Sequence, residues 1–163
     1  MNYLTSNLWR KLSSPDETIR QQANSQWDEA WQQYHDYMEE KVHKNISKKQ
    51  WCTIIRCHDY HDSIINQIRI DNCFYKKKPS LRVNIILDNK IQLQLINVTH
   101  CLFDIQNQSS LPCGSFSWGY CEFELIDKKM KLSILCDISN QFDFEFDNIA
   151  IHKLTTITSN HVC

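Results

Sequence analysis

The chain has 163 residues and 42% hydrophobic content, enough for one domain with a sizeable core. Lys and Arg total 18 against 19 Asp and Glu, a formal net charge of -1, so no basic field draws in a phosphate backbone and direct nucleic-acid binding is not expected. No apolar run reaches membrane-spanning length and no secretory signal follows Met1, so the 8 cysteines are expected as thiols of a soluble cytoplasmic protein with no membrane partner.

In chain order, Leu4, Leu8, Trp9 and Leu12 recur at helical spacing and predict a short helix or docked arm over Tyr3 to Leu12. Ser14-Pro15-Asp16-Glu17 reads as a capping box with Ser14 as the cap. A long amphipathic helix should follow, running to about Lys44. Its apolar face would carry Ile19, Ala23, Trp27, Ala30, Trp31, Tyr34, Met38 and Val42, with Gln, Asp, Glu and Lys on the other side. Trp27, Trp31 and Tyr34 are expected to pack on a sheet rather than to form an exposed ridge. Ser47 can cap a shorter helix through Trp51, Ile54 and Ile55 to Cys57.

Beyond Cys57 the period changes from helix to strand. His61 to Phe74, Leu81 to Leu87, Ile91 to Leu95, Tyr120 to Ile126, Met130 to Asp137 and Gln141 to His152 predict about six strands. Asp88-Asn89-Lys90 signals a tight hairpin, and the pattern shifts at Ile96 as a bulge or crossover would. Gln106 to Ser117, with Pro112 and Gly114, reads as the longest loop of this half. The fold expectation is α+β: N-terminal helices, one of them long, on a mainly antiparallel sheet or sandwich. One domain should span 1–163, with 1–57 helical, 58–154 β-rich and 155–163 a loose tail.

Gln141 to Asn148 is the most telling stretch. Strand alternation places Phe142, Phe144 and Phe146 on a core face and Asp143, Glu145 and Asp147 on the other. Glu122 and Glu124 alternate in the same way, so the two strands are expected to present one acidic patch. From Cys101 to Ile151 the acids Asp104, Glu122, Glu124, Asp127, Asp137, Asp143, Glu145 and Asp147 outnumber Lys128, Lys129 and Lys131. Such a patch steers a cationic partner.

His58-Asp59-Tyr60-His61-Asp62 is the one cluster that could ligate a metal or pair acid with base. Capping at a helix-to-strand junction accounts for it more simply, and alternate residues of an extended segment cannot converge on one ion. No metal site, no cofactor and no catalytic residue is therefore assigned. The competing reading is a small metal-dependent hydrolase built on His58 to Asp62.

Met1-Asn-Tyr-Leu-Thr-Ser-Asn-Leu-Trp9, the capped charged helix from Ser14, His61-Asp62-Ser63-Ile64-Ile65 and the β-rich remainder together resemble a group of small bacterial α+β cytoplasmic proteins. That group is similar to the immunity proteins of contact-dependent and polymorphic toxin systems. The resemblance implies a non-enzymatic antitoxin that blocks the active site of a cognate toxin, a cationic nuclease being the expected partner. On that reading Glu122, Glu124, Asp143, Glu145 and Asp147 would form the toxin-binding surface, with the Gln106 to Gly119 loop as the other candidate.

Overall fold

The computed structural model describes residues 1–106, 116–136 and 140–154. The expected loose tail, most of the expected long loop and Asp137 lie outside the described residues.

Helix α1 (Ser6–Leu12) is capped by Thr5, whose hydroxyl accepts from the Leu8 N–H. Helix α2 (Glu17–Tyr37) begins two residues later than the capping-box expectation. Its cap is Asp16, whose carboxylate accepts from the Thr18 and Ile19 N–H groups, and the Ser14 hydroxyl accepts instead from the Asp16 N–H. A charged acceptor reaching two free amides outcompetes a hydroxyl reaching one. The long helix continues beyond α2 as a π-turn over Met38–Val42 and a 3-10 turn over His43–Asn45. Helix α3 (Lys48–Cys57) starts with a full capping box between Ser47 and Gln50.

Nine strands follow among the described residues, not six. They are β1 (Ile64–Tyr75), β2 (Lys78–Leu87), β3 (Ile91–Val98), β4 (His100–Ile105), β5 (Phe116–Ser117), β6 (Tyr120–Ile126), β7 (Lys129–Leu135), β8 (Asn140–Phe146) and β9 (Asn148–Lys153). They form two antiparallel sheets, ordered β5-β1-β2-β3-β9 and β4-β8-β7-β6. Besides the two-residue β5, the extra strands β4 and β9 arise where the chain changes sheet. Near the end of β3 the backbone bulges at Asn97, in the left-handed region at φ 57°, and the chain then enters the second sheet as β4. The run from Gln141 to His152 breaks at Asp147, so that β8 and β9 lie in different sheets.

These two crossovers are tied together. The Asn97 amide donates to the Asp147 carboxylate at 2.7 Å, and the Asp147 N–H donates to the Ile96 carbonyl at 3.1 Å. Between the sheets lies one apolar core. It joins Val83, Ile85, Leu93 and Leu95 to Phe123, Leu132, Phe142, Phe144 and Phe146, and it takes in Tyr34, Met38, Val42 and Ile54 from the helices. The three phenylalanines of β8 are buried, as their alternation predicts.

Candidate functional site

Strand pairing sets four of the five predicted acids in rows across the second sheet, while Asp147 follows the end of β8. One row reads Leu102, Asp143, Ser133, Glu122 and the next His100, Glu145, Lys131, Glu124. These four acids share a face, as expected, Asp147 does not, and much of that face is closed.

Glu122 is fully buried. Its carboxylate accepts from the backbone N–H groups of Asn2 at 2.7 Å, Tyr3 at 2.9 Å and Leu4, gathering the first residues of the chain onto β6. Assigning Glu122 to a toxin-binding surface is thus corrected: strand alternation points it outward, and the N-terminal arm then covers it. Asp143 is only 8% exposed, held by the Gln141 amide at 2.9 Å and with the Lys131 ammonium 3.7 Å away. It too is corrected as a freely exposed contact. Asp147 serves the crossover with Asn97.

Glu124 and Glu145 stay half-exposed, on either side of Lys131 across the strands. Opposite charges set directly across from each other offset the self-repulsion expected of an acidic stripe. One oxygen of Glu124 is buried without a hydrogen-bond donor.

A second acidic surface lies on α2. Ala23 and Tyr34 are buried, with Met38 one turn on, while Trp27 and Trp31 set their ring edges against Tyr120. Helical spacing puts Asp28, Glu29, Asp36, Glu39 and Glu40 on the opposite side, all exposed, with no Lys or Arg among them. Their spacing is visible in the sequence, where it marks no more than the polar side of a helix. Gln33 and Gln32 hold Glu29 and Asp36 by amide hydrogen bonds at 3.3 and 2.9 Å, and the His43 ring lies 2.9 Å from Glu39.

The His58–Asp62 cluster is divided by the fold. His58 lies inward against Trp31, Tyr34 and Phe123, its Nδ1 3.6 Å from the Cys121 thiol. Burial lowers the His58 pKa to about 4 and raises that of Cys121 to about 12. Both shifts favour the neutral forms, the reverse of what an imidazolium–thiolate nucleophile needs. His61 is exposed, paired with Asp62 at 2.8 Å and tilted on Tyr120. A pocket of about 220 Å³ between Trp31, His58, His61, Trp118, Tyr120 and Cys121 is lined chiefly by rings. Among the described residues, no three His, Cys, Asp or Glu side chains converge as a metal site would require. No helix there is long and apolar enough to cross a membrane.

Compared with protein-family models, with curated proteins and with solved structures, the chain matches none.

Proposed function

We propose that this chain is an immunity protein that binds a cognate bacterial toxin in the cytoplasm and blocks its active site, the toxin being a cationic nuclease. The observation that carries this reading is the outer face of α2 and its π extension, where Asp28, Glu29, Asp36, Glu39 and Glu40 stand exposed with no Lys or Arg between them, only His35 and His43 lying beside Asp36 and Glu39. A helix presenting like charges in one sector resembles the phosphate track that a nuclease groove accommodates, and it would raise the rate of encounter with such a groove. Glu124, half-exposed, lies on β6 between Phe123 and Leu125, whose N–H groups donate to Tyr34 and Tyr37 on the inner side of α2. Glu145 extends the negative surface across the second sheet.

The acidic contact area proposed for the toxin therefore moves from the β8 stripe to α2, with Glu124 and Glu145 retained from the sequence-based set. The test is co-expression with the product of the adjoining gene, followed by pull-down at low and high salt. A complex that weakens with salt and is lost in the triple variant D28K/D36K/E39K, while E145K has a smaller effect, is the expected result. A complex indifferent to all four substitutions would remove the electrostatic reading. The alternative, a hydrolase at His58 to Asp62, predicts activity without any partner and its loss in H61A.

A further inference from the structure

We propose that the ring-lined pocket at the start of β6 is an aromatic cage for a quaternary ammonium group, with the Asp62 carboxylate beside it as the counter-charge. The inference stands apart from the toxin-binding reading, because the acidic face of α2 takes no part in it.

The rings come from three parts of the chain. Trp31 stands on α2, His58 and His61 follow α3, and Trp118 and Tyr120 flank Gly119. The Trp31 and Tyr120 rings lie 6.5 Å apart at 70°, the His61 and Tyr120 rings 4.6 Å apart at 60°, and the Trp31 and His58 rings 6.2 Å apart at 66°. Stacked rings close on each other, whereas rings set at such angles form adjoining walls.

The walls are fixed from behind. Trp9 and Trp27 pack against Tyr120 with ring centres 5.1 and 4.6 Å away. Gly119 makes room for Trp9: a Cβ there would lie 2.5 Å from the Leu135 carbonyl oxygen and 2.7 Å from the Trp9 ring. Trp118 is clamped by two backbone hydrogen bonds of 2.7 Å, its N–H donating to the Ser63 carbonyl and its carbonyl accepting from the Asp62 N–H. The same clamp holds Asp62 beside the pocket.

What remains for a ligand is ring surface. The Trp118 side chain and the His58 Nδ1 both engage the Cys121 thiol. No Lys or Arg lines the pocket, and burial keeps His58 neutral, with its pKa at about 4. An ammonium that carries N–H groups would lose water there without gaining acceptors. A quaternary ammonium has no N–H to satisfy and is drawn to ring faces by cation–π attraction. Asp62 supplies the opposite charge, 2.8 Å from the His61 ring that itself packs on Tyr120. The volume of about 220 Å³ lies below the roughly 300 Å³ at which drug-sized sites begin, so the pocket takes a head group and not a large ligand.

Titration of the whole chain with choline, followed by tryptophan fluorescence, tests the proposal, with dimethylbutanol as the uncharged compound of the same shape. Choline should bind at about millimolar concentrations and dimethylbutanol about tenfold more weakly. Asp62 is exposed and lies in the left-handed region at φ 69°, which Asn also accepts, so Asp62→Asn keeps the fold. It should weaken choline several-fold and leave dimethylbutanol unchanged. Tyr120→Leu removes a wall and should abolish the binding of both, with melting to show that each variant folds. Equal affinity for the two compounds overturns the proposal, since the pocket is then apolar and no more. So does choline binding that survives Tyr120→Leu or that Asp62→Asn leaves at full strength. A wild type that binds no choline at tens of millimolar overturns it as well.

Discussion

Two sheet edges in this molecule are handled in opposite ways. At β6 the outward N–H groups of Phe123 and Leu125 donate to the hydroxyls of Tyr34 and Tyr37, at 2.7 and 2.9 Å, so two tyrosines three residues apart on α2 stand in for a missing strand. At β1 nothing comparable covers Asn66 to Phe74 among the described residues. The sealed edge belongs to the four-stranded sheet, and β1 to the five-stranded one. The aromatic face of α2 thus finishes a sheet as well as filling a core, and its acidic side stays exposed.

The largest effect on this arrangement should come from Glu122, which holds the N-terminal arm over β6. In Glu122→Ala the N–H groups of Asn2, Tyr3 and Leu4 lose their acceptor in a site where Leu4 is fully buried. Leaving buried donors unpaired should cost about 3 to 5 kcal/mol, with a smaller loss in Glu122→Gln, which keeps one oxygen. Denaturant unfolding measures the cost. Hydrogen exchange should report the freed arm at residues 2–4 while β1 is unaffected; equal exposure of β1 would show that the two edges are not independent.

Acid should act on the same side of the molecule. His58 packs between α2 and β6, and its folded pKa, about 4, lies below the ordinary value of 6.5. Below pH 6.5 the unfolded chain therefore binds a proton that the folded chain refuses. Stability should fall as the pH drops through that window and level off near the folded value, for a total of about 3 kcal/mol. Comparison of pH-dependent melting with His58→Phe isolates the contribution: the variant should lack this part of the acid sensitivity. An unchanged pH profile would mean that His58 is hydrated in the folded protein.

How much of this was legible in the sequence depends on which contacts decide it. Local rules placed the Ser47 cap, the hairpin at Asp88-Asn89, the irregularity at Ile96 and the buried face of Phe142, Phe144 and Phe146, because each depends on backbone geometry or on a period of two. The change of sheet at Asp147 was hidden: Gln141 to His152 alternates without interruption, and only the distant Asn97 shows why the strand breaks there. Glu122 misled for a related reason. Alternation assigns a residue to a face of its sheet, but whether that face meets water depends on an arm more than a hundred residues away in the chain. The acids of α2 were readable by spacing, yet they stood out only once the fold had occupied the β8 acids elsewhere.

The smallest expected effect is the most direct measure of the sealed edge. Tyr34→Phe removes only the oxygen that accepts from the buried Phe123 N–H and leaves the ring against Trp31 and Tyr3 in place. The orphaned amide should cost about 1 to 2 kcal/mol. Tyr37→Phe does the same at Leu125, where the half-exposed site admits water, so its cost should be nearer half of that. Because the two hydroxyls serve adjacent amides of one edge, the double variant should lose more than either single one, and its β6 amides should exchange faster while those of β7 stay protected. If the double variant melts with the wild type, water satisfies the edge as well as tyrosine does. The helix would then be held to the sheet by its rings alone.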